Sequence, residues 1–371
     1  MNSALKILCL VTCSLIAVTA RSETPSASTT ISDSLSGLVP QNLLRLVHAP
    51  EVHQELALNQ RQIDSLEKFF FDEVDGDWFR SRILPADQQT KIMSGLEAKL
   101  RQWLAKQASD EQVQRLQELE YHSLGIRMLL RPEVAKQLKL EPSQQAQFLK
   151  LAQATNDAVN AAQLASQKGD IPESIKSAAL AAAQAEKAAL SSVLRAEQQQ
   201  AANKLIGKPF DTAALQRIYP MAPEFVPVEY WLNSKPLQLK ELRGKVVLVH
   251  FYAFQCHNCH ANFTHYNQWH KEFPSDQVVV LGIQTPETSS ERDPAAVTAA
   301  AKERDFRFPV MIDLQSENWK AWSNTMWPTV YVIDKQGYIR HLWQGELNWQ
   351  GATHDKTIHD LIEKLVAEEA L

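Results

Sequence analysis

Two patterns of hydrophobic and polar positions divide this sequence. Up to residue 206 apolar residues recur every three or four positions, as in the stripe Ile92, Leu96 and Leu100, which is typical of amphipathic helices. After that, short apolar runs rich in valine and isoleucine alternate with helix-like segments. The sequence therefore predicts an all-α domain over residues 41–206 and an α/β domain over residues 207–371.

The α/β domain is predicted to contain a central mixed sheet flanked by helices. Val246 to Val249 form an unbroken apolar run, which is typical of a strand covered on both faces. The predicted strands are residues 245–251, 277–283, 309–312, 329–334 and 338–344. The predicted helices are residues 258–273, 294–304, 316–323 and 354–369. Gly337 is expected to supply the positive φ of the turn between the last two strands.

The helical domain contains an internal repeat. The segment from Pro50 to Gln62 recurs from Pro132 to Gln144, with the shared pattern Pro-Glu-Val-x-x-x-Leu-x-Leu-x-x-x-Gln. Proline and glutamate suit the first turn of a helix, since the missing N–H of proline needs no partner there and glutamate complements the helix dipole. The repeat predicts two related helical hairpins of roughly 80 residues each.

A shorter Leu-x-x-x-Gln pattern also ends at Gln88 and Gln198. It resembles the LTxxQ signature of the periplasmic Spy and CpxP-type helical proteins, although the threonine is absent. Two interpretations stay open. The pattern marks capped helices packed in a bundle, or the helical domain binds unfolded client proteins or a partner protein.

The first residues are typical of an exported protein. Met1 to Ala20 has a lysine, an apolar core and a small-residue cleavage site, so residues 1–20 are predicted to be a signal peptide. Residues 21–40, rich in serine and threonine, are expected to form a flexible linker. We expect a periplasmic or otherwise extracytoplasmic protein without an integral membrane span, unless the signal stays uncleaved as an anchor. The net charge of −5 and the absence of a basic run give no indication of nucleic-acid binding.

Cysteine usage points to redox chemistry. Cys9 and Cys13 lie in the predicted signal, so the mature chain keeps only the pair Cys256 and Cys259. A disulfide that closes so small a loop stabilises a fold little. The pair stands where a strand leads into a helix, and the N–H groups of the helix start favour a thiolate there. Cys256 is the predicted nucleophile, and Cys259 is the predicted resolving thiol.

A second signal, Trp327-Pro328-Thr329, leads into the strand at residues 329–334. Together with the cysteine pair it resembles the thioredoxin-like fold. Further motifs resemble its extracytoplasmic TlpA and DipZ-type branch over residues 208–371: Pro236-Leu237-x-Leu239-x-x-Leu242-Arg243-Gly244-Lys245, Gly282-Ile283-Gln284-Thr285-Pro286-Glu287 and Gly345-Glu346-Leu347. The resemblance implies a thiol-disulfide oxidoreductase without cofactor or metal, which exchanges disulfides with protein thiols and with a redox partner protein. It also implies that a cis-proline loop formed by Trp327, Pro328 and Thr329 faces the cysteines and receives an extended substrate peptide.

Three further residues are candidates for tuning the cysteines. An imidazolium at His257 would stabilise the Cys256 thiolate, although a solvent-facing side chain is the alternative. His250 stands where thioredoxins place a buried acid, so it is either a base for the resolving thiol or a packing residue. Glu287, with Glu291, rims the site or is simply a solvated loop carboxylate.

Other functions for the cysteine pair stay open at this point. Cys256 to His260 matches the Cys-x-x-Cys-His string of c-type haem attachment. Thiolates and the nearby histidines also suit copper, so a metal carrier or client-binding protein on a thioredoxin-like scaffold is the main alternative to an enzyme.

Overall fold

The computed structural model describes residues 37–166 and 171–368. The predicted signal peptide and most of the predicted linker lie outside the described residues. The described chain divides into two compact units. The first contains residues 37–68 and 84–216, and the second contains residues 69–83 and 217–368. Residues 69–83, which the sequence pattern places with the helical domain, thus group with the second unit, and the domain boundary at residue 207 stays a prediction.

The N-terminal region is helical, as predicted. Its helices are α1 (Leu43–His48), α2 (Pro50–Glu55), α3 (Gln60–Phe69), α4 (Asp75–Ser81), α5 (Ala86–Gln107), α6 (Asp110–Leu124), α7 (Pro132–Gln137), α8 (Pro142–Ser166), α9 (Glu173–Ser192) and α10 (Ala196–Ile206). A π-helical turn, Phe70–Val74, joins α3 to α4. None of the helices in the described part of the chain has the length and apolar character needed to cross a membrane.

Paired glutamines organise the first unit. The amide of Gln144 donates to Oε1 of Gln198 at 2.9 Å, and the amide of Gln198 donates back at 3.1 Å. Gln62 and Gln112 form the same reciprocal pair at 2.9 and 3.4 Å. Each of these glutamines is the third residue of its helix, and its Oε1 accepts the N–H of the residue before that helix. The side-chain amides therefore satisfy backbone groups at helix ends and join the helices in pairs.

Three of the four paired glutamines belong to the patterns singled out in the sequence, whereas the two-hairpin repeat itself stays a prediction. The sequence patterns include Gln62, Gln144 and Gln198, and they also include Gln88, but the partner of Gln62 is Gln112. The pattern misses Gln112 because alanine, not leucine, stands at position 108, so the Leu-x-x-x-Gln string does not reach it.

The second unit has the predicted thioredoxin-like architecture. Its strands are β1 (Tyr230–Leu232), β2 (Val246–Tyr252), β3 (Val278–Gln284), β4 (Val310–Ile312), β5 (Thr329–Ile333) and β6 (Ile339–Gln344). Its remaining helices are α11 (His257–Glu272), α12 (Pro294–Glu303), α13 (Glu317–Ala321) and α14 (His354–Ala367). All predicted strands and helices of this unit are present with ends that differ by at most two residues, and Gly337 has φ 94°. The short edge strand β1 is an addition to the predicted strands.

The sheet has the order β1-β4-β3-β2-β5-β6. β2 runs parallel to β3 and antiparallel to β5, which makes the sheet mixed. Every residue of the central strand β2 is buried, in agreement with its unbroken apolar run. Val246, Leu248 and Tyr252 face a core shared with α11 and α14, whereas Val247, Val249 and Phe251 face the core on the other side. The sheet thus holds the chain that leaves β2 in a fixed position.

Candidate active site

The two cysteines lie where β2 passes into α11. Cys256 is the residue that caps the N-terminus of α11, and Cys259 lies in its first turn. The N–H of Cys259 donates to the carbonyl oxygen of Cys256 at 3.1 Å. Both thiols are free. The structure thus places the predicted pair at the end of a helix whose N–H groups point toward the first sulfur.

The thiol of Cys256 is acidic. Its pKa is lowered to about 7, first by a hydrogen bond from the Cys259 thiol and then by the N–H groups of Cys259 and Asn258. Burial acts in the opposite direction, but Cys256 is only partly buried. A thiolate therefore forms near neutral pH at a sulfur that solvent can reach.

Cys259 has the opposite character. Its side chain is fully buried, and burial, together with the hydrogen bond to Cys256, raises the pKa of its thiol far above the ordinary value. One sulfur of the pair is therefore acidic and accessible, and the other is a protonated, enclosed thiol that donates to it.

The loop of Trp327, Pro328 and Thr329 comes to the same end of the sheet. The Trp327–Pro328 peptide bond is cis. Thr329 pairs with Phe251 in the antiparallel ladder of β5 and β2, so Pro328 lies where β2 ends and the cysteine loop begins. Cys256 and Trp327 are both half-buried and pack against the same core.

The side chains of this loop are not equally open. The indole of Trp327 stacks on Trp319 with ring centroids 4.0 Å apart. Thr329 is fully buried and its hydroxyl donates to the carbonyl oxygen of Met326 at 2.7 Å. Met326 is 46% exposed. A ligand on this surface would meet Met326 and the edge of Trp327, whereas the side chain of Thr329 is enclosed.

His250 is a buried neutral imidazole. It is 0% exposed, and burial lowers its pKa to about 3. Its ring stacks on Tyr266 at 3.9 Å, and neither ring nitrogen finds a hydrogen-bond partner among the residues that the structure describes. The register of the sheet sets it opposite Gly282, where a Cβ atom would approach its Nε2 to 3.0 Å. These contacts are those of a packing residue in the core. The role of His250 as a base for Cys259 stays a prediction.

His257 and Glu287, the other candidate tuning residues, are both exposed. After the hydrogen bonds and burial, the carboxylate of Glu287 is a further influence on Cys256, and it raises the pKa of that thiol. Glu287 therefore opposes the thiolate. The groups that lower the pKa are the Cys259 thiol and backbone N–H groups.

Glu291 has a position that its sequence context does not suggest. The sequence favours a solvated loop carboxylate or a residue at the rim, but Glu291 is 0% exposed. Its carboxylate accepts the N–H groups of Gln255 at 2.7 Å, Glu287 at 2.7 Å and Thr288 at 3.0 Å. Gln255 directly precedes Cys256, so this buried carboxylate holds the cysteine loop. The spacing Thr288-x-x-Glu291 is a capping box, and that pattern was the available signal.

The thioredoxin-like unit is similar in sequence to known proteins. The AhpC/TSA family matches residues 221–342. The thiol-disulfide oxidoreductase ResA of Bacillus thuringiensis is 30% identical over 125 residues, which are 34% of this chain and 68% of ResA. This chain belongs to the thioredoxin-like AhpC/TSA family. The resemblance to the TlpA and DipZ-type branch, first seen in the sequence motifs, is thereby confirmed.

Further relatives match the same thioredoxin-like unit. Protein DipZ of Mycobacterium bovis is 36% identical over 128 residues, which are 34% of this chain. The oxidoreductase YkuV of Bacillus subtilis is 28% identical over 123 residues, 33% of this chain and 82% of YkuV. The crystal structure of a thiol-disulfide isomerase from Corynebacterium glutamicum has 25% identity and a TM-score of 0.36, with 40% of this chain and 97% of that chain covered. The matched segment spans only 18% of DipZ.

Clustered potential metal ligands lie away from the cysteines. Among the residues that the structure describes, His359, Asp360 and Glu363 form a cluster of side chains that could hold a metal ion. His260, which a haem attached to the cysteines would need as a ligand, has its Nε2 at 2.7 Å from the carbonyl oxygen of Phe254. The ring is held by this contact and lies 3.4 Å from the guanidinium of Arg304.

Proposed function

We propose that this protein is an exported thiol-disulfide oxidoreductase that exchanges disulfides with protein thiols through Cys256 and Cys259. The observation that carries the proposal is the asymmetry of the pair: an accessible sulfur whose pKa is lowered to about 7 beside a fully buried thiol whose pKa is raised. Nucleophilic attack needs the first kind of sulfur, and a resolving thiol needs to be shielded until a mixed disulfide has formed.

The reduction of a substrate disulfide has two steps. The thiolate of Cys256 attacks one substrate sulfur, the substrate S–S bond breaks, and the departing sulfur takes a proton. Cys259 then loses its proton and attacks the sulfur of Cys256, which closes the Cys256–Cys259 disulfide and releases the second substrate sulfur as a thiolate. Two electrons pass to the substrate, and a redox partner protein restores the two thiols. The same steps in reverse oxidise a dithiol.

The surface around Pro328 is the proposed docking site. Met326 and Trp327 offer apolar contacts beside Cys256, and an extended peptide can pair with the backbone of such a loop. The helical region is proposed to recruit a client or partner protein, on the basis of its repeat.

Variants of the two cysteines test the mechanism. Cys256→Ser should abolish the reduction of insulin disulfides, because the remaining thiol of Cys259 is buried, and Cys259→Ala should accumulate mixed disulfides, because none is resolved. A chain with Cys9 and Cys13 replaced by serine is the control and should keep full activity. Normal turnover by either active-site variant contradicts the mechanism.

A scaffold function is the alternative outcome. If the Cys256–Cys259 pair fails to exchange with glutathione or a thioredoxin system, or if the reduced protein carries stoichiometric copper, then the thioredoxin-like unit is a carrier or a binding module. The midpoint potential of the pair decides between exchange and inertness, and its value separates a reductant from an oxidant.

A further inference from the structure

A segment distant in sequence completes a core next to the loop from Met326 to Pro328, which we call the docking loop. Residues 69–83 belong to the same compact unit as the cysteines. Within this segment Phe79 is 3% exposed and lies in the core of Trp322 and Tyr331, with ring centroids 6.2 Å from each. Phe79 is thus a core residue of the thioredoxin-like unit although it precedes the unit's first strand by a long stretch of chain.

Arg82 makes the polar contacts of this segment. Its guanidinium lies over the ring of Phe79 at 3.7 Å and donates to the Phe79 carbonyl oxygen at 2.8 Å. Nη2 donates to the carbonyl oxygen of Ser323 at 2.9 Å and to the hydroxyl oxygen of Tyr331 at 2.8 Å, and it also donates to the carbonyl oxygen of Trp322. A planar guanidinium can hold several acceptors in fixed directions, which an ammonium group cannot.

The acceptors of Arg82 stand on both sides of the docking loop. Trp322 and Ser323 lead into that loop, and Tyr331 follows it on β5. The hydroxyl of Tyr331 donates in turn to Oδ1 of Asn324 at 2.9 Å. Arg82 therefore clamps the start of the loop to the strand after it, and Met326, Trp327 and Pro328 lie between the clamped points.

We propose that Arg82 is a positioning residue for substrate docking, which sets the place of Met326 to Pro328 relative to Cys256. The proposal rests on the proposed function, since it concerns the surface on which the substrate lies. The groups that lower the pKa of Cys256 are the Cys259 thiol and the N–H groups of Cys259 and Asn258, so Arg82 acts on the loop and not on the thiolate. Its loss should weaken docking without changing the thiolate.

The test compares Arg82→Ala and Arg82→Lys with Arg80→Ala in the full chain. Arg80 lies in α4, whose C-terminal cap is Arg82, but its side chain is 59% exposed and pairs with Asp77 on the surface. For Arg82→Ala the KM for a protein disulfide should rise about tenfold, the value expected for a lost charge-assisted hydrogen bond, with kcat and the Cys256 pKa unchanged. Arg82→Lys should show most of this loss, and Arg80→Ala should match the wild type.

A second measurement separates positioning from general destabilisation. Hydrogen exchange should become faster at residues 322–331 in Arg82→Ala and stay unchanged in β3. An unchanged KM, an equal rise in exchange throughout the unit, or a shifted thiolate titration overturns the proposal. If the wild type shows no thiol-disulfide exchange, the proposed function fails. Hydrogen exchange at residues 322–331 that is the same in Arg82→Ala as in the wild type separately refutes the clamp.

Discussion

At the scale of single residues, the two cysteines differ because of burial and hydrogen bonding. Cys256 and Cys259 have the same side chain and stand one turn apart. One is at the open N-terminus of α11, where N–H groups stabilise a negative sulfur, and the other is enclosed in the core. The difference in pKa therefore comes from position alone, and it assigns the proposed roles.

Glu287 provides a test of this electrostatic account. The rate of alkylation of Cys256 should increase about tenfold per pH unit below pH 7 and level off above it, because only the thiolate reacts. Removal of the Glu287 charge in Glu287→Gln should move the midpoint to lower pH, since the carboxylate raises the pKa of Cys256. Iodoacetamide kinetics across a pH series measure both effects.

The control for this experiment is Asp276→Asn. Asp276 is exposed and stands two residues before β3 at the end of the sheet opposite the cysteines, so it should leave the midpoint unchanged. A midpoint in Glu287→Gln that stays the same or moves to higher pH contradicts the account.

At the scale of elements, paired helix starts hold the first unit together. Each glutamine of a pair accepts an N–H at the start of its own helix and donates to its partner and to a backbone carbonyl group at another helix end. Gln198, for example, donates to the carbonyl oxygens of Leu138 and Lys139 at 3.2 Å each. A short polar pattern thus determines which helix ends meet, whereas the apolar stripes alone allow several arrangements.

Gln198→Ala should lower the free energy of unfolding by about 2 kcal/mol, because the carbonyl oxygens of Leu138 and Lys139 and the Arg195 N–H lose a buried partner. The nearby and exposed Glu197 provides a matched control, and Glu197→Ala should change stability by less than about 0.5 kcal/mol. Urea unfolding monitored by circular dichroism measures both.

The double variant Gln144→Ala with Gln198→Ala adds a further check. It should cost less than the sum of the two single variants, since the two amides act as one unit. Strict additivity would show that the reciprocal hydrogen bonds contribute no coupling.

At the scale of the whole molecule, chain order and compact units do not coincide. The thioredoxin-like unit takes residues 69–83 from between helices of the first unit. In the sequence Phe79 and Arg82 look like ordinary members of a helical stretch, and no local pattern marks them as part of another core. Only the packing of Trp322 and Tyr331 against them reveals their place.

Export is also a property of the whole chain. If residues 1–20 are a signal peptide, the protein recovered from a bacterial periplasm should begin after Ala20, as N-terminal sequencing would show. Retention in the membrane fraction with an intact N-terminus would indicate an uncleaved anchor. Recovery of the full-length chain from the cytosol would contradict export.

Several features follow from the sequence because they are local. Apolar periodicity determined the helical region and the strands β2 to β6, and the two cysteines and Trp327-Pro328-Thr329 indicated the candidate site. These signals reflect backbone preferences and burial patterns that neighbouring residues share. The tertiary structure alone decided that Glu291 is enclosed behind the cysteine loop, that Gln112 pairs with Gln62, and that Arg82 clamps the docking loop. Each of these depends on a partner distant in sequence. The capping-box spacing indicates the local contacts of Glu291, but no local pattern indicates its contact with Gln255, or the partners of Gln112 and Arg82, until folding brings them within reach.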